Sequence, residues 1–142
     1  MITEEDGFVR IDRAMKAAYG KTNPAPGKRG LRRCASVIGL KPEMEALYRE
    51  LHADAWQGVL DRLEASNVRN YSIFVGTIEG RRCLFSYFEY AGTDFDADMQ
   101  KIAADPETRR WWLETDPCQE PLPPSAEQGG RWHDLERVFF KP

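Results

Sequence analysis

From Leu31 onward, short apolar runs of strand length alternate with segments whose apolar residues recur every three or four positions. Arg32–Gly39 predicts a strand that ends at Leu40-Lys41-Pro42. Pro42 is suited to open a helix, because first-turn N–H groups have no intrahelical acceptor in any case. Over Pro42–Ser66, Tyr48, Leu51, Ala55, Val59 and Leu63 recur at i, i+3, i+4 spacing and predict a single amphipathic helix. Tyr71–Ile78 and Arg82–Tyr90 are aromatic and β-branched runs joined by Glu79-Gly80-Arg81, which predicts a hairpin with Gly available for positive φ. Asp94–Ala104 predicts a second helix, continued beyond Asp105-Pro106 by Glu107–Glu114. Pro117–Gly130 reads as a Pro-rich loop, and Trp132–Phe140 as a final strand with its apolar cluster at Val138-Phe139-Phe140.

The element order is β-α-β-β-α-β, an α+β chain. Short connections and right-handed crossovers make a four-stranded antiparallel sheet with both helices on one face the economical arrangement. The other face then carries aromatic side chains that nothing in this chain covers, which points to a pocket or a second copy and makes a homodimer the expectation. Residues 1–30 differ in composition. Phe8, Ile11, Ala14, Met15 and Ala18 have helical spacing, and the Gly-, Pro- and Lys-rich run Gly20–Gly30 reads as a linker. The expected division is therefore a flexible N-terminal extension, 1–30, and one α+β domain, 31–142.

Composition narrows the function classes. A chain of 142 residues, 42% hydrophobic with four Trp, five Tyr and seven Phe, has material for one domain core. Its net charge of −3 argues against nucleic acid or an anionic membrane surface as a partner. The local cluster Lys28-Arg29 with Arg32-Arg33 reads as solvated surface. Cys34, Cys83 and Cys118 are odd in number and form no CxxC pair, so free thiols in a reducing compartment are expected. With no basic-then-apolar leader at the N-terminus and no apolar stretch of ~18 residues, a cytoplasmic location is the expectation. No phosphate loop, Gly-x-Ser-x-Gly, His-Glu-x-x-His or metal-spaced histidine set occurs, so no metal or other cofactor is expected.

Two histidines are present. His133 lies beside Trp132 at the start of the last strand and reads as a surface or turn residue. At ~100° per residue, Tyr48, His52, Ala55, Val59 and Leu63 fall within an arc of roughly 80°, so His52 faces inward while Glu50, Asp54, Gln57 and Asp61 face water. An inward histidine serves either as a hydrogen-bonded core residue or as a proton carrier. Tyr48 one turn before it and Trp56 one turn after favour the second role. A hydroxyl, a group titrating near pH ~6.5 and a flat apolar plate form a sugar-binding combination. Trp111-Trp112 is a rare pair whose side chains point about 100° apart on a helix, so both rarely fill one core pocket; the pair serves either as one core and one interface ring or as part of a binding site.

These segments resemble the L-rhamnose mutarotase family from about Arg33 to Pro142. The likeness rests on Tyr48-x-x-x-His52-x-x-x-Trp56, Asn70-Tyr71-Ser72-Ile73, Leu84-Phe85, Trp111-Trp112 and Glu136-x-Val138-Phe139. It implies a ferredoxin-like fold forming a dimeric α/β barrel through its sheets, and interconversion of the α- and β-anomers of a deoxy-sugar. It also implies that His52 is the proton donor and that Tyr48, Tyr71, Trp111 and Trp112 contact the sugar. Residues 1–30 and the longer loop Pro117–Gly130 depart from the family pattern.

Mutarotation requires paired proton transfer at the ring oxygen and the anomeric hydroxyl. In the expected scheme His52 protonates the ring oxygen, Tyr71 or a water takes the hydroxyl proton, and Trp111 or Trp112 stacks on the sugar. L-rhamnose is the expected substrate. The rival readings are an L-fucose mutarotase, a cofactor-free monooxygenase of the same architecture, and a non-catalytic sugar-binding dimer.

Overall fold

The computed structural model describes residues 20–23 and 31–141. The helix expected around Phe8–Ala18, and the part of the expected linker at 24–30, lie outside them. By its contacts the chain forms two units, Leu31–Leu135 and a smaller one made of Met1–Gly30 with Glu136–Pro142.

The larger unit begins with β1 (Arg32–Leu40) and a 3₁₀ turn at Pro42–Met44, with Pro in the first turn as expected. Helices α1 (Glu45–Ala53) and α2 (Gln57–Ala65) follow. The single helix expected over Pro42–Ser66 is thus two. Neither Pro nor Gly forces the break; Trp56 takes extended φ/ψ values (−63°, 133°) as the N-cap of α2. Its ring packs edge-on against Trp111, with centroids 5.2 Å apart, so a tertiary contact accompanies the interruption. The periodicity survives because both short helices bury the same stripe, at Tyr48 and at Val59.

β2 (Val68–Ile78) and β3 (Arg81–Tyr90) form the expected hairpin. Glu79 and Gly80, both at positive φ (50° and 75°), make the tight turn whose twist suits adjacent antiparallel strands. The β2–β3 register shifts between Arg69 and Ser72, a bulge centred on Asn70 at φ 49°. The extra residue lets Tyr71 lie over Phe88, rings stacked at 5.7 Å.

α3 (Phe95–Ala104) is capped by Asp94, which accepts from the Ala97 N–H. α4 (Pro106–Thr115) is capped by Asp105, which accepts from the N–H and hydroxyl of Thr108, both at 2.9 Å. The segment expected to be an irregular loop carries structure: a 3₁₀ turn (Asp116–Cys118), β4 (Gln119–Glu120) and α5 (Pro123–Glu127). β5 (His133–Leu135) comes last.

The sheet runs β2-β3-β1, with β4 and β5 both on the free edge of β1, every pairing antiparallel. It is the ferredoxin-like α+β order, with the fourth strand split in two. The final strand is shorter than Trp132–Phe140. Extending the Leu135↔Ala35 register would set Arg137 opposite Arg33, and like charges directly opposed destabilise a ladder.

On one face of the sheet Ile38, Leu40 and Leu84 pack with Tyr48 and Cys118 into the buried core, with Ile73 and Val75 against it. On the opposite face Phe74, Phe85 and Val37 align across three strands, and Phe74 is 63% and Ile78 56% exposed. All three cysteines are free. Among the described residues no helix is long and apolar enough to cross a membrane.

In the smaller unit Gly20 and Asn23 bridge each other, and the Phe140 N–H donates to Thr22 O at 2.7 Å. The Asn23 amide donates to Arg137 O at 3.1 Å and accepts from Arg137 Nε at 2.6 Å.

Candidate functional site

A cavity of about 270 Å³ opens between α1 and the core face of the sheet. That is near the lower end of the ~300–1,000 Å³ usual for small-molecule sites. Its sheet wall is apolar, from Leu40, Ile73, Val75 and Leu84; its helix wall is polar, from Glu45, Tyr48, Arg49 and His52. Spacing on α1 explains the polar wall, since positions 45, 48, 49 and 52 fall on one side of a helix.

His52 is half-buried, and its Nδ1 donates to the Tyr48 carbonyl at 2.8 Å. A carbonyl only accepts, so Nδ1 carries the proton, and in the neutral ring Nε2 is the free lone pair. Burial pushes the imidazole below its ordinary value, opposed by the hydrogen bond to Tyr48. The Tyr48 ring lies 4.1 Å from His52 and the Trp111 ring meets His52 edge-on at 5.1 Å. Burial drives the Tyr48 phenol well above the ordinary phenol range, and the nearby Tyr71 phenol adds to the shift. Tyr71 is 45% exposed as a residue, yet desolvation at its hydroxyl end also raises its phenol.

Tyr48, His52 and Trp111 are therefore brought together, with Tyr71 within electrostatic reach of Tyr48. Trp112 points away from Trp111 as the helical spacing requires, and is 38% exposed where Trp111 is 6%. Trp56 does not continue the Tyr48–His52 row along one helix, as the sequence pattern suggested. It reaches the cluster from the α1–α2 junction through Trp111. His133 lies on β5 opposite Val37, away from the cavity lining.

Glu45 and Arg49 escaped the sequence reading, although extending the α1 stripe by one turn would have found them. Glu45 accepts from Arg82 Nε at 2.7 Å and from Arg49 Nε at 3.0 Å. The Arg82 hydrogen bond leads in holding its carboxyl down to about 2, so the helix wall presents a fixed carboxylate beside a guanidinium. Such a pair offers acceptors and donors for hydroxyls. Among the described residues no group of three or more His, Cys, Asp or Glu converges as metal ligands do.

The family model described as L-rhamnose mutarotase matches residues 33–140. An L-rhamnose mutarotase of Opitutus terrae is 36% identical over 107 residues, 75% of this chain and 95% of its own length. That of Bacillus subtilis is 31% identical over 111 residues, 78% of this chain and 98% of its own. The crystal structure of an L-rhamnose mutarotase from Formosa agariphila superposes with a TM-score of 0.59 at 22% identity, covering 78% of this chain and 99% of that one.

Proposed function

The chain belongs to the L-rhamnose mutarotase family, and from that premise we propose that it interconverts the α- and β-anomers of L-rhamnose by metal-free acid–base ring opening in the cavity beside α1. The observation that carries the reading is the His52 ring itself. Its Nδ1 proton is committed to the Tyr48 carbonyl and burial favours the neutral ring, which leaves Nε2 as the lone pair available to act as a base.

We therefore propose the opposite order to the one expected from the sequence, in which His52 protonates the ring oxygen. His52 first takes the proton of the anomeric hydroxyl as the C1–O5 bond breaks and the C1=O1 bond forms. A phenol on the same wall gives its proton to the ring oxygen. The open aldehyde turns about C1–C2, and closure on the other face returns both protons. Positioned proton transfer of this kind accelerates a reaction typically by ~10²–10⁴-fold. Trp111 stiffens His52 from its edge, and Tyr71 and Trp112, both outside the cavity lining, meet the sugar only where it extends beyond the cavity, Tyr71 with a second protonated hydroxyl and Trp112 with an exposed ring. The Glu45–Arg49 pair meets hydroxyls remote from the reacting carbon.

The sheet face carrying Phe74, Ile78, Phe85 and Val37 supports a homodimer, because apolar side chains aligned across three strands gain by burial against a second copy. The free thiols fit a cytoplasmic location. Saturation-difference NMR of anomer exchange on L-rhamnose and L-fucose tests the substrate. Faster exchange with L-rhamnose is the expected result. Preference for L-fucose would reassign the sugar. Tight binding of either sugar with exchange at the buffer rate would move the function to sugar binding.

A further inference from the structure

The proposed chemistry needs a proton for the ring oxygen, and both Tyr48 and Tyr71 hold one. A chain of side chains outside the cavity distinguishes them. β4 pairs with the end of β1, Leu40 opposite Gln119, and so fixes Gln119 behind Tyr48. Gln119 is 6% exposed and Tyr48 4%. The Gln119 side-chain oxygen accepts from an Arg131 guanidinium N–H at 3.2 Å. The same Arg131 nitrogen donates to Asp116 O at 3.1 Å, and Arg131 Nε pairs with the Asp116 carboxylate at 3.5 Å.

An amide whose oxygen is held by a guanidinium has one orientation left, with its NH₂ on the far side. That NH₂ lies 3.5 Å from the Tyr48 hydroxyl oxygen. Arginine has no acceptor, so the direction of every bond in the chain is fixed: Arg131 donates to Gln119, and Gln119 donates to Tyr48.

We propose, on the mutarotase reading above, that Gln119, oriented by Arg131, is a positioning residue that makes the Tyr48 hydroxyl the proton source for the sugar's ring oxygen. With its oxygen accepting from Gln119, the hydroxyl of Tyr48, a residue of the cavity wall, has its own O–H left to donate. As C1–O5 breaks, its electron pair goes to O5 and the Tyr48 proton follows, while His52 Nε2 receives the proton from O1. The result is a phenolate beside an imidazolium, with no net change of charge, and ring closure discharges both. The Gln119 N–H steadies the phenolate, opposing the effect of burial on this phenol. At 3.5 Å the bond is long, and catalytic hydrogen bonds of this kind tighten toward the transition state.

The test is a double-mutant cycle of Gln119→Met with Tyr48→Phe, reading kcat and KM for anomer exchange. Gln119→Met should lower kcat by about tenfold with KM within about twofold. In the Tyr48→Phe background the same substitution should cost nothing more. Arg131→Met, which leaves Gln119 in place but frees its amide to turn, should repeat the pattern and serves in its place if Gln119→Met does not fold. Full activity in both variants, or losses that simply add to that of Tyr48→Phe, overturns the proposal. A wild-type protein with no anomer exchange overturns the mutarotase reading instead.

Discussion

His52 and Tyr48 sit one turn apart on α1, yet burial moves them in opposite senses, the imidazole down and the phenol up. Each keeps the form the chemistry needs at neutral pH: a ring nitrogen free to accept and a phenol still protonated. The consequence is a pH profile of defined shape. As pH falls through a midpoint below 6.5, His52 gains its second proton, Nε2 ceases to be a base, and kcat/KM declines. On the alkaline side the rate should hold until above pH 10, where ordinary phenols titrate. A pH–rate series over both limbs checks this; an acid midpoint above 6.5 would contradict a desolvated His52. At this scale the sequence was informative about residue type and facing, since helical spacing alone put His52 and Tyr48 inward. It was silent on proton placement, because the acceptor on Nδ1 is a backbone carbonyl and every residue has one.

The elements were legible where local signals decide them. Pro42 at a helix start, Gly80 in the turn joining β2 and β3 and the aromatic and β-branched runs of those strands each form as their residue types predict, while the caps Asp94 and Asp105 stand at helix starts the sequence placed without naming their role. They were illegible where a distant contact decides. No residue from Asp54 to Trp56 breaks a helix by propensity, so the α1–α2 interruption, which brings Trp56 onto Trp111, does not show in the chain. β4 is hidden in the same way, because two residues of strand among prolines carry no periodicity. A glycine betrays it after the fact: a Cβ on Gly39 would lie 2.5 Å from the Glu120 carbonyl oxygen, so the β1–β4 approach requires its absence. Gly39→Ala should destabilise the fold by about 1–3 kcal/mol through this backbone clash. It should also slow anomer exchange, since Gln119 rides on the displaced strand. Urea unfolding reads the first effect, and wild-type stability in the variant would contradict the close approach.

At the scale of the whole molecule the fold divides its labour by face, the core side of the sheet lining the cavity and the other side presenting Phe74 and Ile78 to solvent. On the dimer reading, Phe74→Asp places a charge in the buried seam. Light scattering should then show a species near 16.3 kDa where the wild type shows about twice that mass. A wild type that already runs as a monomer would remove the dimer from the account. Anomer exchange through His52 is read by saturation-difference NMR on L-rhamnose with wild type and His52→Ala. The wild type should exchange anomers well above the buffer rate, and the variant should lose at least about 10²-fold with its circular dichroism unchanged. A folded His52→Ala protein that exchanges anomers as fast as the wild type would contradict it.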